Sequence, residues 1–563
     1  MPTIQFKGKN IIWNHHLSVP YHTLEENSEL AFQEEKANGN LIIEGDNLTA
    51  LKALLPQYGG RIKCIYIDPP YNTGKEDWVY SDKVNSPLIS QWLNKVVAKD
   101  DLTRHDKWAC MIVPRLRLLR ELLCSEGVII ISCDDNEYSN LRSLMNEIFT
   151  ENNFIGTVVW QNATDNNPTN IATEHEYILF YAKDKEKISS VWKSSVSMAK
   201  EELIKIGKEL NEKFTDQEEL QNAYTEWFRE NKQFLGKLDR YKYIDAGGVY
   251  TGSQSVHNPG REGYRYDIIH PETKKPTKQP LMGYRFPETT MQELLDQKKI
   301  LFGDDENKII ELKVYAHEYE DKLASVFELD GRLGAYDLRE LFGKVPFKNP
   351  KPVQLFTHIL PFLTTNSDII LDSFAGSGTT LHAVMELNKE DNGTRQCILV
   401  QMREDTPDEP EKNICKDITR ERVKRAIEKF GYKSGFKYLQ VGIPIDPESM
   451  LEGNLPSYEQ FAQYVYYLAT GEYLADKDKV DVARHYVGTR GHHSIFLIYE
   501  QDMDKLTRLA LNLDAAKQII QDSPNKRRIV YAPACFLDDD YMEEHQIEFV
   551  SIPYNLFERK QNA

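Results

Sequence analysis

The sequence has few cysteines and no excess of positive charge. Seven cysteines stand in 563 residues and no Cys-x-x-Cys pair occurs, which argues against a disulfide framework and a zinc ribbon. We therefore expect reduced thiols and no metal site. Lysine and arginine number 69 against 87 aspartates and glutamates, a net charge of −18. A generally cationic nucleic-acid wrapper is excluded, and any nucleic-acid partner has to be held by local basic patches.

Long apolar segments are also missing. No apolar run approaches the roughly 20 residues that a membrane span needs, and the first residues contain no apolar signal core. We therefore expect a cytoplasmic protein with no membrane partner. Aromatic residues make up 11% and charged residues 28% of the chain, which is typical of folded domains rather than of extended disorder.

The first part of the chain has the pattern of an α/β protein. A strand pattern near Leu41 leads into a Gly45-Asp46-Asn47 turn, and a buried strand from Ile62 to Ile67 runs into Asp68-Pro69-Pro70-Tyr71, where two prolines end strand pairing. Helical patterns separate these strands. The alternation predicts a doubly wound, parallel sheet with Asp68 at the carboxyl end of a strand, where such sheets bind ligands.

A second α/β stretch follows a long interruption. From about Lys183 to Val345 the pattern changes to charged helices and turn-rich, aromatic-rich segments. The α/β pattern resumes where a strand ending in Asp372 passes through a glycine turn into a helix. We therefore predict one sheet that is split by an insertion. The predicted domains are residues 1–182, the inserted residues 183–345, residues 346–440, and a small C-terminal α/β domain of residues 441–563.

Asp68-Pro69-Pro70-Tyr71 has the composition of a cradle for an aromatic amine. The prolines stiffen the turn, so the Asp68 carboxylate and the Pro69 carbonyl can present two fixed acceptors, and the Tyr71 ring offers a face on which a base can stack. Such acceptors would position an exocyclic amine for in-line attack on an electrophilic methyl group, without a strong base. Taken alone, the tetrapeptide is more often a plain loop after a strand.

The segment Phe374-Ala375-Gly376-Ser377-Gly378 predicts a second ligand site. Its glycines let the backbone turn tightly and approach a ligand closely. No lysine follows them as in a phosphate-binding loop, and Leu381 stands where a dinucleotide fingerprint has its third glycine. A ligand without a pyrophosphate, such as S-adenosylmethionine, fits this turn better.

Together the two motifs resemble those of the exocyclic-amino DNA methyltransferases, which carry an Asp-Pro-Pro-Tyr tetrapeptide and a Phe-x-Gly-x-Gly turn on one Rossmann-like sheet. Their order along this chain resembles the circularly permuted beta class, in which a target-recognition domain lies between the two halves. Gly45-Asp46-Asn47-Leu48, the segment from Ile67 to Gly74 and the segment from Asp372 to Thr380 are similar to the Mod subunits of type III restriction-modification systems. The similarity covers about residues 40 to 440.

This resemblance implies an adenine-specific enzyme that transfers a methyl group from S-adenosylmethionine to adenine N6 in duplex DNA. It also implies a homodimer and a separate helicase-nuclease subunit as partner. The implied catalytic residues are Asp68, Pro69, Pro70 and Tyr71. The implied cofactor-binding residues are Asp46, Lys351, Pro352, Asp372, Phe374, Ala375, Gly376, Ser377, Gly378 and Thr379.

Several of these assignments have a purely structural alternative. Lys351-Pro352 resembles the Lys-Pro segment that lines the methionine end of the cofactor in the family, but a proline-capped helix start has the same sequence. Asp46 resembles the acidic residue near the cofactor adenine and is equally suited to cap a helix. Gln401 stands where the family commonly has an acidic residue for the ribose. Trp160 and His175-Glu176-Tyr177 resemble a segment near the base pocket, although an aromatic at a strand end is more often part of the core.

The predicted insertion contains a basic and aromatic stretch that begins at residue 261. Six basic residues stand there against three acidic ones, with tyrosines and a phenylalanine between them. This composition suits phosphate contacts and base or sugar packing, and a solvated loop is the alternative. The predicted DNA-binding residues are Arg261, Arg265, Lys274, Lys275, Lys278 and Arg285.

Three other functions stay open at this point. They are methylation of RNA, methylation of cytosine N4, and DNA recognition by a specificity subunit without turnover. The long insertion favours duplex DNA over RNA, and the intact glycine turn favours an enzyme over a pure binding subunit. The sequence leaves open the recognition site and whether a restriction partner exists.

Overall fold

The computed structural model describes residues 3–73, 103–163, 170–192, 198–235, 238–257, 260–320, 322–404 and 411–552. The chain divides into two compact units. One combines Met1–Ser190 with Ala324–Ala563, and the other is Val191–Leu323. Within the ranges described, no helix is both long enough and apolar enough to cross a membrane.

A ten-stranded sheet forms the centre of the first unit. Its strands are β1 (Tyr21–Glu26), β2 (Leu41–Glu44), β3 (Ile62–Ile67), β4 (Leu123–Cys133), β5 (Phe154–Gln161), β6 (His175–Ala182), β11 (Val326–Glu328), β12 (Ile369–Asp372), β13 (Gln396–Gln401) and β14 (Lys437–Ile445). They lie in the order β1-β14-β2-β13-β12-β3-β4-β6-β5-β11. The six strands from β14 to β4 are parallel, and β6 runs antiparallel to β4 and β5. The predicted doubly wound α/β sheet is confirmed.

The parallel strands are apolar because helices cover both of their faces. Every residue of β2 and β12 is buried. The larger helices of this unit are Asn47–Tyr58, Arg104–Leu122, Tyr138–Phe149, Leu333–Phe342, Val353–Leu363, Thr379–Asp391, Glu421–Phe430, Tyr458–Thr470 and Leu513–Asp522. Short helices cover Lys9–Ile12, His15–Ser18, Pro447–Leu451, Met503–Leu506 and Asp539–Glu544, and a π-helical turn covers Cys415–Arg420.

The C-terminal residues belong to this first unit and add a smaller sheet to it. Its strands β15 (Tyr486–Arg490), β16 (His493–Leu497), β17 (Arg527–Ala532) and β18 (Ile547–Ser551) lie in sequence order. The helix Tyr458–Thr470 joins this sheet to the main core, since Tyr464 packs against Tyr21 of β1 at 4.5 Å between ring centroids. The predicted boundary at residue 440 falls inside β14, which continues to Ile445 because it pairs with both β2 and β1.

The second unit has its own small core. The helices Met198–Lys213, Gln217–Leu235 and Glu288–Asp296 accompany a sheet of strands β7 (Tyr243–Asp245), β8 (Gly248–Ser255), β9 (Ile300–Leu301) and β10 (Glu311–Tyr315), in the order β7-β8-β10-β9. This unit is shorter than the predicted insertion 183–345. Residues from Ala324 onward belong to the first unit, because the strand β11 that follows pairs in parallel with β5.

The order of the strands brings two distant parts of the sequence together. β3 and β12 are parallel neighbours, and Asp372 at the end of β12 pairs with Tyr66 near the end of β3. Because parallel strands end at the same edge of a sheet, the tetrapeptide after β3 and the glycine turn after β12 leave the sheet side by side.

Candidate active site

The tetrapeptide after β3 is held from the helix that follows it. The Trp108 indole, buried on the helix Arg104–Leu122, donates a 2.7 Å hydrogen bond from Nε1 to the Pro70 carbonyl. Asn72 adopts a left-handed conformation and donates to the buried Glu137 carboxylate at 2.5 Å. The Pro69 carbonyl accepts no hydrogen bond from any residue within the described ranges. Its oxygen can therefore still accept a hydrogen bond.

Lys351 connects the tetrapeptide with β6. Its ammonium donates to the Tyr71 hydroxyl and to Glu176 Oε2, both at 2.8 Å, and lies 3.3 Å from Asp68 Oδ1. The Tyr71 hydroxyl in turn donates to the same Glu176 oxygen at 2.8 Å. Asn162 Nδ2 donates to the other Glu176 oxygen at 2.7 Å. Asp68, Tyr71 and Glu176 therefore surround the Lys351 ammonium. Asn162 joins this group through Glu176.

These contacts set the protonation of the group. Burial raises the pKa of Asp68, the charge of Lys351 opposes that rise, and the charge of Glu176 adds to it. Burial lowers the pKa of Lys351, but the carboxylates of Asp68 and Glu176 outweigh this effect, so the lysine pKa is raised overall. Lys351 is thus a firmly charged cation beside the Asp68 carboxylate.

The glycine turn after β12 is braced by Asp372. This carboxylate is 2% exposed and accepts hydrogen bonds from the Phe374 backbone N–H at 3.0 Å and the Thr380 hydroxyl at 2.6 Å. Burial raises the pKa of Asp372 to about 7, and the nearby charge of Asp68 adds to the rise. Asp372 therefore ties the start of the turn to the first turn of the helix Thr379–Asp391.

Two glycines of the turn have conformations that L side chains rarely adopt. Gly376 has φ +50° and Gly378 has φ +81°. A Cβ at Gly376 would lie 3.0 Å from the Phe347 ring, and one at Gly378 would lie 3.1 Å from the Thr419 carbonyl oxygen. The Gly376 N–H donates to the Gln401 side-chain oxygen at 2.8 Å. Gln401 therefore supports the turn from the end of β13.

A buried arginine lies behind the same turn. Arg422, which is fully buried on the helix Glu421–Phe430, donates to the Ser377 hydroxyl at 2.8 Å and to the Thr379 hydroxyl at 2.6 Å. Burial lowers the pKa of Arg422 to about 10, whereas Asp337, 3.9 Å away, opposes this. The Thr379 hydroxyl also donates to the Lys351 carbonyl at 3.1 Å. The turn is thereby connected to the segment that carries Lys351.

The Asp46 turn after β2 reaches the same edge of the sheet. Asp46 caps the helix Asn47–Tyr58 through the backbone N–H groups of Leu48 and Thr49. Asn47 donates to the Ser373 carbonyl at 3.1 Å. Arg115 donates to the Asn47 side chain at 2.5 Å, and its guanidinium lies 3.3 Å from the Asp46 carboxylate. Asp46 thus has the capping role that the sequence offered as an alternative, at the position where the resemblance predicts a cofactor residue.

The structure brings most of the predicted site residues to one edge and separates the others. The residues of the tetrapeptide, the glycine turn, the Asp46 turn and Lys351-Pro352 all lie in the first unit at the carboxyl ends of β2, β3 and β12. Lys351 extends its side chain toward Asp68 and Tyr71, on the tetrapeptide side of this edge. Trp160 is buried, donates to the Leu329 carbonyl and lies with its ring 5.5 Å from the Lys351 ammonium.

The six predicted DNA-binding residues lie in the second unit and are all exposed. The Arg265 guanidinium donates to the Leu281 carbonyl at 2.8 Å, and Arg285 stacks on Phe286 at 4.5 Å from its ring centroid. Lys275 pairs with Glu306 at 2.8 Å. The remaining members of the set are Arg261, Lys274 and Lys278.

Four residues of this arrangement were not singled out from the sequence. Glu176 was included only as part of a tripeptide, and Asn47, Arg115 and Arg422 were not assigned to the site. Arg422 stands in a segment in which basic residues recur at short intervals. The sequence does not indicate that Arg422 is buried while Arg420 is not. Which of them is buried depends on the face of the helix that packs against the glycine turn.

Comparison with known proteins identifies the family. The profile of a family described as DNA methylase matches residues 62–429. The Mod subunit of the type III restriction-modification enzyme EcoP15I from Escherichia coli is 49% identical over 446 residues, 75% of this chain and 69% of that relative. The StyLTI Mod subunit from Salmonella typhimurium is 30% identical over 503 residues, 85% of this chain and 67% of the relative.

The EcoPI Mod subunit from Escherichia phage P1 is 30% identical over 425 residues, which cover 69% of this chain and 61% of that relative. The family match spans both the tetrapeptide and the glycine turn, and so includes the whole edge of the sheet described above. The chain therefore belongs to the DNA methylase family and, within it, to the Mod subunits of type III restriction-modification enzymes.

Proposed function

We propose that this chain transfers the methyl group of S-adenosylmethionine to the N6 amine of adenine in duplex DNA, as the modification subunit of a type III restriction-modification enzyme. One observation carries the proposal. Asp68-Pro69-Pro70-Tyr71 and the glycine turn leave adjacent parallel strands at the same edge of the sheet. Direct transfer requires that the amine and the methyl donor be bound next to each other.

The residues at the glycine turn fit S-adenosylmethionine. The backbone of the turn bends through two glycines with positive φ. The buried Ser373 hydroxyl is 1% exposed and has no hydrogen-bond partner in the described part of the chain, so a polar group of a ligand would satisfy it. We assign to the cofactor the turn residues 374–379 together with Asp46, Pro352 and Asp372. When bound, this cofactor supplies an electrophilic methyl group.

Asp68 and Pro69 orient the amine in this proposal. The Asp68 carboxylate and the free Pro69 carbonyl accept its two N–H groups, which directs the nitrogen lone pair away from both acceptors. Asp68 can also take up the proton that the nitrogen gives up. Pro70 serves through the backbone, because its carbonyl is fixed by Trp108 and cannot rotate away.

Tyr71 offers its ring to the target base. Adenine N6 is paired inside the duplex, so the base has to rotate out of the stack at a cost of a few kcal/mol. Stacking on an aromatic face returns about 1–3 kcal/mol of this cost. The Tyr71 hydroxyl is held by Lys351 and Glu176, so the ring is already fixed before a base arrives.

Target recognition belongs to the second unit in this proposal. Its six exposed basic residues suit phosphate contacts on DNA, which an acidic chain needs at a local patch. We further propose that the chain forms a homodimer and supplies sequence recognition to a helicase-nuclease subunit. Membership of the type III Mod subunits supports both proposals.

The product and one variant test the proposed reaction. Purified protein is incubated with tritiated S-adenosylmethionine and duplex DNA, and the digested nucleosides are separated by chromatography. We expect label in N6-methyl-2′-deoxyadenosine only. Asp68→Ala should lose at least about 100-fold in single-turnover rate, because an amine acceptor is removed, while calorimetry finds cofactor affinity nearly unchanged. Label in N4-methylcytosine, or an active Asp68→Ala variant, would contradict the assignment.

A further inference from the structure

Lys351 joins the two halves of the site, one through its backbone and the other through its side chain. Its carbonyl accepts from Thr379 at the start of the cofactor helix, whereas its ammonium reaches Asp68, Tyr71 and Glu176 on the tetrapeptide side. Lys-Pro in this position was expected to line the cofactor. The contacts of the ammonium instead involve residues that face the target amine.

We propose that Lys351 and Glu176 are positioning residues for methyl transfer, in which the Lys351 ammonium pairs with Asp68 and orients it, and Glu176 holds Lys351 and the Tyr71 hydroxyl in place. This inference rests on the proposed function, because it assigns roles around the amine acceptor that the proposed function uses. Neither residue has to touch the methyl donor.

The geometry leaves the lysine little freedom. An ammonium has three donors, and here two of them bond the Tyr71 hydroxyl and Glu176 Oε2 while the third faces Asp68 Oδ1. The ammonium also lies over the rings of Tyr71 and Trp160, whose centroids are 5.0 and 5.5 Å from Nζ. The side chain is 12% exposed. A cation so enclosed costs free energy unless its partners are retained, which ties Lys351 to both carboxylates.

Both carboxylate oxygens of Glu176 accept hydrogen bonds. One oxygen accepts from Lys351 and Tyr71, and the other accepts from Asn162. The residue lies on β6, opposite Trp160 of β5 in the antiparallel pairing. A strand position gives the carboxylate a fixed direction, so it can serve as an anchor for the more flexible lysine side chain.

The charges around Asp68 have opposite effects on its protonation. Lys351 favours the Asp68 carboxylate, whereas Glu176 disfavours it. Within the described ranges, Tyr66, Tyr71, Cys133 and Asp372 also interact electrostatically with Asp68. Lys351 is the cation that pairs with it. Loss of Lys351 therefore raises the pKa of Asp68 and loss of the Glu176 charge lowers it.

This opposition gives a signature that general damage to the site would not produce. Single-turnover rates are measured from pH 5 to 9 for the wild type, Lys351→Met, Lys351→Arg and Glu176→Gln, with cofactor affinity measured in parallel by calorimetry. Asp68 can take up the amine proton only while it is a carboxylate, so the rate falls at low pH, on the acid side of the profile, as Asp68 is protonated. That acid side should move to higher pH in Lys351→Met and to lower pH in Glu176→Gln.

The variants should also differ in how much rate they lose at neutral pH, whereas cofactor affinity should hardly change. We expect Lys351→Met to lose roughly 10- to 100-fold in rate at neutral pH, since the acceptor is no longer oriented. Lys351→Arg retains the charge and should keep the acid side near its wild-type position. Cofactor affinity should change less than about threefold in all of them. Lys9→Met is the matched control, because Lys9 pairs with Glu147 at 2.7 Å with a similarly buried side chain, outside this group of contacts.

Three results would overturn the inference. The first is a loss of cofactor affinity in Lys351→Met that equals its loss of rate, which would make Lys351 a cofactor residue. The second is a shift of the acid side in the same direction for both neutral variants, or in Lys9→Met. The third is absence of N6-methyladenine from wild-type reactions, which would refute the proposed function and this inference with it. Because this result is seen in the wild type without any variant, it can be told apart from the first two.

Discussion

Gly376 shows how a single residue shapes the cofactor side of the site. Its φ of +50° is strained for any other residue, and a Cβ there would lie only 3.0 Å from the Phe347 ring, which would have to shift. We expect Gly376→Val to fold but to lose cofactor affinity by at least about tenfold, because the branched side chain displaces the turn from its ligand.

A second glycine separates backbone strain from loss of the pocket. Gly431 has φ +67° at the end of the helix Glu421–Phe430, with open space where a Cβ would lie. Gly431→Val should therefore lower stability to a similar extent and leave cofactor affinity unchanged. Calorimetry with S-adenosylmethionine and thermal unfolding of both variants measure the two effects. Equal affinities for the two variants would place the cofactor elsewhere.

At this scale the sequence predicted which residues gather but not how each side chain points. The tetrapeptide and the glycine turn were predicted because prolines restrict the backbone, whereas glycines allow conformations that other residues rarely adopt. The direction of Lys351 could not be predicted, because a lysine side chain has four rotatable bonds and follows the nearest buried charges. Those charges, Asp68 and Glu176, are far from Lys351 in the sequence.

Among the elements, the helix Glu421–Phe430 has the least expected role. Arg422 on this helix supports the glycine turn through Ser377 and Thr379, although its Nε and Nη2 atoms have no hydrogen-bond partner in the described ranges. We expect Arg422→Met to reduce the free energy of unfolding by about 1–3 kcal/mol, since two hydroxyls lose their donor, and to weaken cofactor binding.

Arg425 provides a control on the same helix. It is 40% exposed and pairs with Glu421 one turn earlier. Arg425→Met should change the free energy of unfolding by less than about 0.5 kcal/mol, as is usual for exposed pairs. Denaturant titration of both variants, followed by cofactor calorimetry, checks the difference. An Arg422→Met variant with wild-type stability and affinity would show that the buried arginine does not support the turn.

The main elements of the sheet were predictable because buried parallel strands have continuous apolar runs. The short strand β11 was not, since Val326-Phe327-Glu328 has neither length nor a distinctive pattern and depends on its partner β5. The π-helical turn Cys415–Arg420 was likewise not predicted. Both are determined by neighbours that the local sequence does not reveal.

On the scale of the whole molecule, an acidic chain has to bind a polyanion. We propose that the exposed basic residues of the second unit make the contacts with DNA phosphates. Those without an acidic partner should contribute most. Lys275 is paired with Glu306, whereas Lys278 makes no ion pair within the described ranges. We expect Lys278→Ala to reduce the slope of log affinity against log salt by about 0.9, the value of one phosphate contact.

Lys275→Ala should change that slope less, because Glu306 already neutralises part of its charge. Lys479→Ala, which removes an exposed lysine of the first unit paired with Asp476, serves as control and should leave the slope unchanged. Fluorescence anisotropy of labelled duplex DNA over a range of salt concentrations gives the three slopes. Identical slopes for Lys278→Ala and Lys479→Ala would refute phosphate contact by Lys278.

The overall division of the chain was predictable in outline, because the α/β pattern stops and resumes. Its limits were not. The insertion was predicted as residues 183–345, but the second unit is Val191–Leu323, and the C-terminal sheet shares the core of the first unit. Such limits depend on which segments pack against the main sheet, and a change of composition records that only approximately.

The most direct test of the central claim is a map of modified bases in genomic DNA. Host cells are compared that lack the gene, express the wild type, or express Asp68→Ala at the same level. We expect N6-methyladenine at one short sequence in cells with the wild type and none at that sequence in the other two. Methylated cytosine at that sequence, or adenine methylation that persists with Asp68→Ala, would contradict it.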